Sequence, residues 1–117
     1  MERVLGIGGY FLRAADPEAL GAWYRDRLGL DADENGLWRQ EVGPTVFATF
    51  ASDTDHLGSP DQRTMLNFRV RDLDAMLTQL RASGADVAPE TQDMAGVGRF
   101  GWVTDPEGNR IELWQPA

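Results

Sequence analysis

Two stretches of this chain follow one pattern, 56 positions apart. Leu12, Ala14 and Asp16 in the first correspond to Phe68, Val70 and Asp72 in the second. Beyond the aspartates, Ala19-Leu20 corresponds to Ala75-Met76. A pattern repeated at half the chain length constrains the fold strongly, because each copy is one supersecondary unit and the two must share a core. At 117 residues the chain has room for one domain and no second.

Each half reads as strand, helix, then strands. Residues 9–16 alternate in polarity as a half-buried strand does. Asp16 then caps a helix, with Pro17 at its first position and Glu18 where the helix dipole favours a negative charge. Leu20, Trp23, Tyr24 and Leu28 form its apolar stripe, and Gly29 ends it. In the second half Asp72 caps, Leu73, Met76, Leu77 and Leu80 make the stripe, and Gly84 stops the helix. Runs 30–34 and 37–42 flank Asn35-Gly36, a strong hairpin signal, and 45–51 is a third β-rich run. Later, 86–91 is a weaker strand, while 99–104 and 110–115 flank the turn Asp105-Pro106-Glu107-Gly108-Asn109. The expected fold is α+β: two tandem βαβββ modules forming a curved, mixed or antiparallel sheet with a ligand cleft. Module 1 spans about 4–52, a polar linker 53–63, and module 2 about 64–116.

Strand periodicity sorts the side chains. Leu66, Phe68 and Val70 share one face with Ile111 and Leu113, beneath the helices. The other face carries Phe11, Asn67, Arg69, Glu112 and Trp114. Such a face is either the wet side of an antiparallel sheet or, if the sheet curls, an apolar pocket with a few polar groups. Two large aromatics on it point to the pocket. Phe11, Phe47, Trp102 and Trp114 are the expected walls, with Phe100 replacing Trp102 if the parity of that strand is shifted. Asn67 and Arg69 are the expected polar contacts, Arg69 as a clamp for a carboxylate or phenolate. Glu112 either pairs with Arg69 or Arg71, orients a ligand, or moves a proton as a general base.

Composition removes several chemistries. There is no cysteine, so disulfides, thiolate catalysis and cysteine metal sites are excluded. The only histidine is His56, in the linker, where it reads as a solvated loop residue. All eleven basic residues are arginine, which removes lysine Schiff-base chemistry. A net charge of −8 opposes nucleic acid and anionic lipid. No apolar run is long enough for a membrane span or a signal peptide, so the expected location is cytoplasmic. Two motif-like stretches are set aside. Residues 96–101 match G-x-G-x-x-G but precede a strand instead of opening a helix. Residues 53–58 begin like a calcium loop, yet Thr64 stands where a bidentate Glu is required.

Residues 16–20, 23–30 (Trp-Tyr-Arg-Asp-Arg-Leu-Gly-Leu), 67–74 and 105–114 (Asp-Pro-Glu-Gly-Asn-Arg-Ile-Glu-Leu-Trp), set on paired βαβββ modules, resemble the vicinal oxygen chelate superfamily. This is the glyoxalase, bleomycin resistance protein and extradiol dioxygenase group, and the likeness covers nearly the whole chain. In many members a His in the first strand, a His in the fifth and a Glu in the last hold a divalent metal. Each His stands seven residues before a helix-capping aspartate. Here those positions are Gly9 and Met65, and only Glu112 matches. The fourth-strand position falls near Phe47 or Thr49, with no carboxylate or histidine in 45–51. One carboxylate does not hold a catalytic ion against water. The resemblance therefore implies the branch that binds a small, aromatic or conjugated organic molecule without a metal or other cofactor, in a homodimer, for resistance or sequestration. A glyoxalase-like lyase, isomerase or dioxygenase with an unusual divalent metal site is the alternative, as is a metal-free enzyme using Glu112 as base.

Overall fold

Asp16 and Asp72 each turn the chain into a helix, as their positions predict. The structure, a computed structural model, describes residues 1–117. Helix α1 runs Pro17–Leu28, with the Asp16 carboxylate accepting from the Ala19 amide at 3.1 Å. Its end is Gly29 at φ 71°, a left-handed turn that favours glycine. Helix α2 runs Leu73–Ala82, capped by Asp72 and closed at Ser83. Five strands lie in the second module, one more than expected: β1 Asn67–Arg69, β2 Asp86–Val87, β3 Gln92–Met94, β4 Gly98–Thr104 and β5 Arg110–Pro116. They form one mixed sheet in the order β1-β5-β4-β2, with β3 also on β4; β1 and β5 are parallel, and the other pairs antiparallel. No helix is long and apolar enough to cross a membrane.

One sheet face is roofed by both helices. Leu73, Leu80, Val103, Ile111 and Leu113 are fully buried there, joined by Leu20, Tyr24 and Leu77. Leu66, Phe68 and Val70 pack against this cluster, as the alternation predicts. Gly101 lies under α2, where an added Cβ would sit 3.2 Å from the Leu77 methyls, so a small residue lets helix and sheet approach closely. Burying a leucine stabilises by about 1.5–3 kcal/mol, so this cluster carries most of the cohesion.

The turn between β4 and β5 anchors α1. Asp105 is buried and accepts from the amides of Glu107 and Asn109, from Asn109 Nδ2 and, at 2.8 Å, from the Tyr24 hydroxyl. Glu107 in turn accepts from the amides of Ala15 and Asp16 at 2.6 and 3.0 Å. The first helix is thus fastened to the second module by two carboxylates of one turn.

The α+β class is as read from the sequence; the second unit keeps its expected strands but shortens 86–91 to β2 and adds an unexpected β3 at Gln92–Met94. The first half differs: it keeps its helix, but 9–16, 30–34, 37–42 and 45–51 form no paired strands. The Asn35-Gly36 turn closes, with Asp33 N–H donating to Leu37 O at 2.9 Å, and its arms pair no further. Alternation marks a segment as able to pair, while pairing also needs docking along a sheet edge; β1, β2 and β3 leave open edges, and none of these segments pairs with one. The consequence is a loose molecule. Only 14 of 117 residues are buried, and the radius of gyration is 14.7 Å, against about 13.4 Å expected of a chain this long.

Tyr24→Phe should destabilise the fold by about 1–3 kcal/mol, since it leaves a buried carboxylate short of a donor. Burial and the Asp105 carboxylate push the Tyr24 hydroxyl well above its ordinary value of 10.0. Its contribution is therefore full below about pH 10 and is lost as the pH rises further, because only the unfolded chain ionises readily there. Thermal melts from pH 7 to 11 should show Tyr24→Phe with a lower Tm at neutral pH and a shallower alkaline decline.

Candidate functional site

The pairing of β4 with β5 decides which side chains meet on the face away from the helices. Trp102 stands opposite Glu112, and Phe100 opposite Trp114. On the other side of β5, Asn67 pairs with Glu112 and Arg69 with Trp114. Residues opposite one another in a ladder point to the same face. That face therefore carries Asn67, Arg69, Phe100, Trp102, Glu112 and Trp114. The parity question at 100 and 102 resolves with both aromatics present.

Glu112 is the centre of this arrangement. It is buried, and its two oxygens receive three donors. Asn67 Nδ2 donates to Oε1 at 2.7 Å; Trp102 Nε1 and His56 Nε2 meet Oε2 at 3.0 and 2.9 Å. An indole N–H only donates, and a carboxylate facing three donors acts only as acceptor, so His56 carries its proton on Nε2. The imidazole stacks on Phe50, with centroids 5.1 Å apart and planes at 12°, and meets Trp102 edge-on at 6.2 Å. Arg110 lies over the Trp102 ring at 5.0 Å and donates from Nε to the His56 carbonyl at 3.1 Å. Beside this group Phe100 and Trp114 lie parallel, 6.1 Å apart and inclined by only 3°. The Trp114 indole donates to Val97 O at 3.0 Å.

Asn67, Trp102, Glu112 and Trp114 are thus brought together as expected. Three other predicted residues are not. Arg69 sends its guanidinium to the carbonyls of Glu41 and Pro44 at 2.6 and 2.7 Å. It secures the 41–45 segment, so it neither pairs with Glu112 nor stands free as a ligand clamp; carbonyls in reach offer a planar donor fork better satisfaction than solvent. Phe11 and Phe47 are 94% and 86% exposed, on segments without a sheet partner, and touch no part of the Glu112 group. His56 was read as a solvated loop residue and is instead a hydrogen-bond partner of Glu112. Phe50 and Arg110 join the site with it. No periodicity could have shown this, since a loop residue belongs to no face; being the chain's only histidine was the single available cue.

The donor set does not suit a divalent ion. Gly9 has no side chain and Met65 offers a thioether, which favours soft ions. No group of three or more His, Asp or Glu side chains is placed to hold a metal. At Glu112, indole and amide hydrogens point at the oxygens a cation would take. Two clefts flank α1, of about 230 and 480 Å³. The first lies between Tyr10–Arg13 and Gln62–Thr64, the second between α1 and Pro106-Glu107, and Glu112 lines neither. Around Glu112, Trp102 and Trp114 are buried with it, and the His56 ring lies on the carboxylate.

A family model described as a glyoxalase-like domain matches residues 10–114. No curated protein sequence matches significantly. Among solved structures, TnmS3, an antibiotic-binding protein from Streptomyces sp. CB03234, is 21% identical and aligns over 100% of both chains with a TM-score of 0.64. A lactoylglutathione lyase from Agrobacterium tumefaciens is 21% identical over 97% of this chain and 96% of that one, TM-score 0.61. TioX from Micromonospora sp. ML1 is 21% identical over 89% and 93%, TM-score 0.53. These likenesses establish a shared fold.

Glu112→Gln turns one acceptor oxygen into a donor facing donors. It should cost about 1–3 kcal/mol and release His56 from the sheet. The His56 ring proton resonances should then move towards free-histidine values while α2 keeps its hydrogen-exchange protection; unmoved resonances would mean that Glu112 does not hold the ring.

Proposed function

Starting from the chain's membership of the glyoxalase-like domain family, whose model spans residues 10–114, we propose that it is a metal-independent binding protein for a small aromatic or conjugated organic molecule, acting by sequestration or resistance in the cytoplasm. The fold is shared by an antibiotic-binding protein and by a lyase, so the fold does not choose between capture and turnover. The carboxylate's surroundings support capture. Three of its roughly four lone-pair sites are occupied by protein donors. A group so engaged is poorly placed to take a substrate proton and well placed to orient a ligand. Beside it, Phe100, stacked on the buried Trp114, adds aromatic surface to the same face.

The working form we infer is a homodimer. A single chain leaves Val4, Leu5, Phe11, Val42 and Phe47 almost fully exposed. All of its exposed large apolar residues except Met94 and Val97 lie in the first fifty positions. An apolar surface of this extent signals an interface. A second copy would cover it and offer a sheet edge to the first-half segments.

Native mass spectrometry of the protein as purified tests the reading. A dimer without a metal increment, carrying a small organic adduct, is the expected result. For such an adduct, Phe100→Ala should weaken binding about tenfold, or about 1.4 kcal/mol, with the circular dichroism spectrum unchanged. A stoichiometric divalent metal, or turnover of the adduct that Glu112→Gln abolishes, would overturn it.

A further inference from the structure

The Glu112 site holds an aromatic heterocycle of the protein's own. The His56 ring stacks on Phe50, abuts the Trp102 edge and donates to Glu112 Oε2. Those are the three contacts a bound planar molecule would make there. We propose that His56 is a tethered occupant of the ligand seat, and that the ligand is a planar aromatic molecule with one N–H or O–H at its edge, which displaces the ring. This rests on the binding reading above and narrows it.

Displacement is feasible because ring and backbone are held separately. The His56 amide donates to Thr54 Oγ1 at 3.1 Å, and its carbonyl is held by Arg110. Rotation about the side-chain torsions therefore clears the seat with the loop in place. The ring is also the outer member of the pair: the side chains of His56 and Glu112 are 31% and 10% exposed. A competitor reaches the ring from solvent first. Once the ring leaves, Oε2 keeps the Trp102 donor and lacks its second one, and a buried acceptor short of a partner selects for a donor. A molecule that only stacks gains Phe50 but leaves the carboxylate unsatisfied. Specificity for the edge donor follows from that difference.

His56→Gly removes the occupant, and imidazole is the probe that restores it. Tryptophan fluorescence, to which Trp102 contributes with three other tryptophans, should report imidazole binding to His56→Gly at least tenfold tighter than to the unaltered protein. At about pH 9, where both probes are neutral, 1-methylimidazole has no N–H and should bind His56→Gly at least tenfold more weakly than imidazole, and His56→Gly with Glu112→Gln should lose the preference. Equal affinity for the two probes, or equal affinity of both proteins for imidazole, would overturn the proposal. A second measurement needs no substitution. His56 is the only histidine, so its ring proton resonances are unambiguous in the unaltered protein. Benzimidazole should move them towards the values of a free histidine as it binds; binding that leaves them unmoved would also overturn the proposal. In that event a purified organic adduct would still support the binding reading, whereas a bound metal would defeat that reading without touching the imidazole result.

Discussion

Asp105 is where the structure is pinned. Its carboxylate gathers the amides of Glu107 and Asn109, the Asn109 side chain and the Tyr24 hydroxyl. The first three shape the turn between β4 and β5, and the turn sets the register of the two long strands. That register places Trp102 opposite Glu112 and Phe100 opposite Trp114. A slip of one residue in either strand would send that strand's two members of the group to the helix side. The fourth bond reaches α1 and, with Glu107, docks the first half of the chain onto the second. Core packing on one face and the polar group on the other both depend on this turn.

On the site face the governing rule is satisfaction of a buried carboxylate. Glu112 lies deep enough that leaving it without donors would be costly. Asn67 comes from β1, Trp102 from β4 and His56 from the loop between the modules, so three separate parts of the chain converge on it. This network, next to an aromatic pair, distinguishes the face from an ordinary solvated sheet.

Most of the second module was legible beforehand. The caps at Asp16 and Asp72, the stripes of both helices and the two faces of β1 and β5 follow from local rules with fixed periods. Arg69 was not legible, because its face is set by the strand but its partners, two carbonyls on a distant segment, are not. His56 was not legible for the same reason. Phe11 and Phe47 were placed at the site on the premise that first-half strands join the sheet, and within one chain they do not.

Helix ends, the two faces of β1 and β5 and the residues at positions 9 and 65 were determined by the sequence alone, because each depends on residues a few positions apart or on the identity of one side chain. The partner of Glu112, the fate of Arg69 and the unpaired state of the first-half segments were decided only by the tertiary structure. They depend on which surfaces approach across tens of residues, and hydrogen-bond satisfaction and free sheet edges are properties of that assembly.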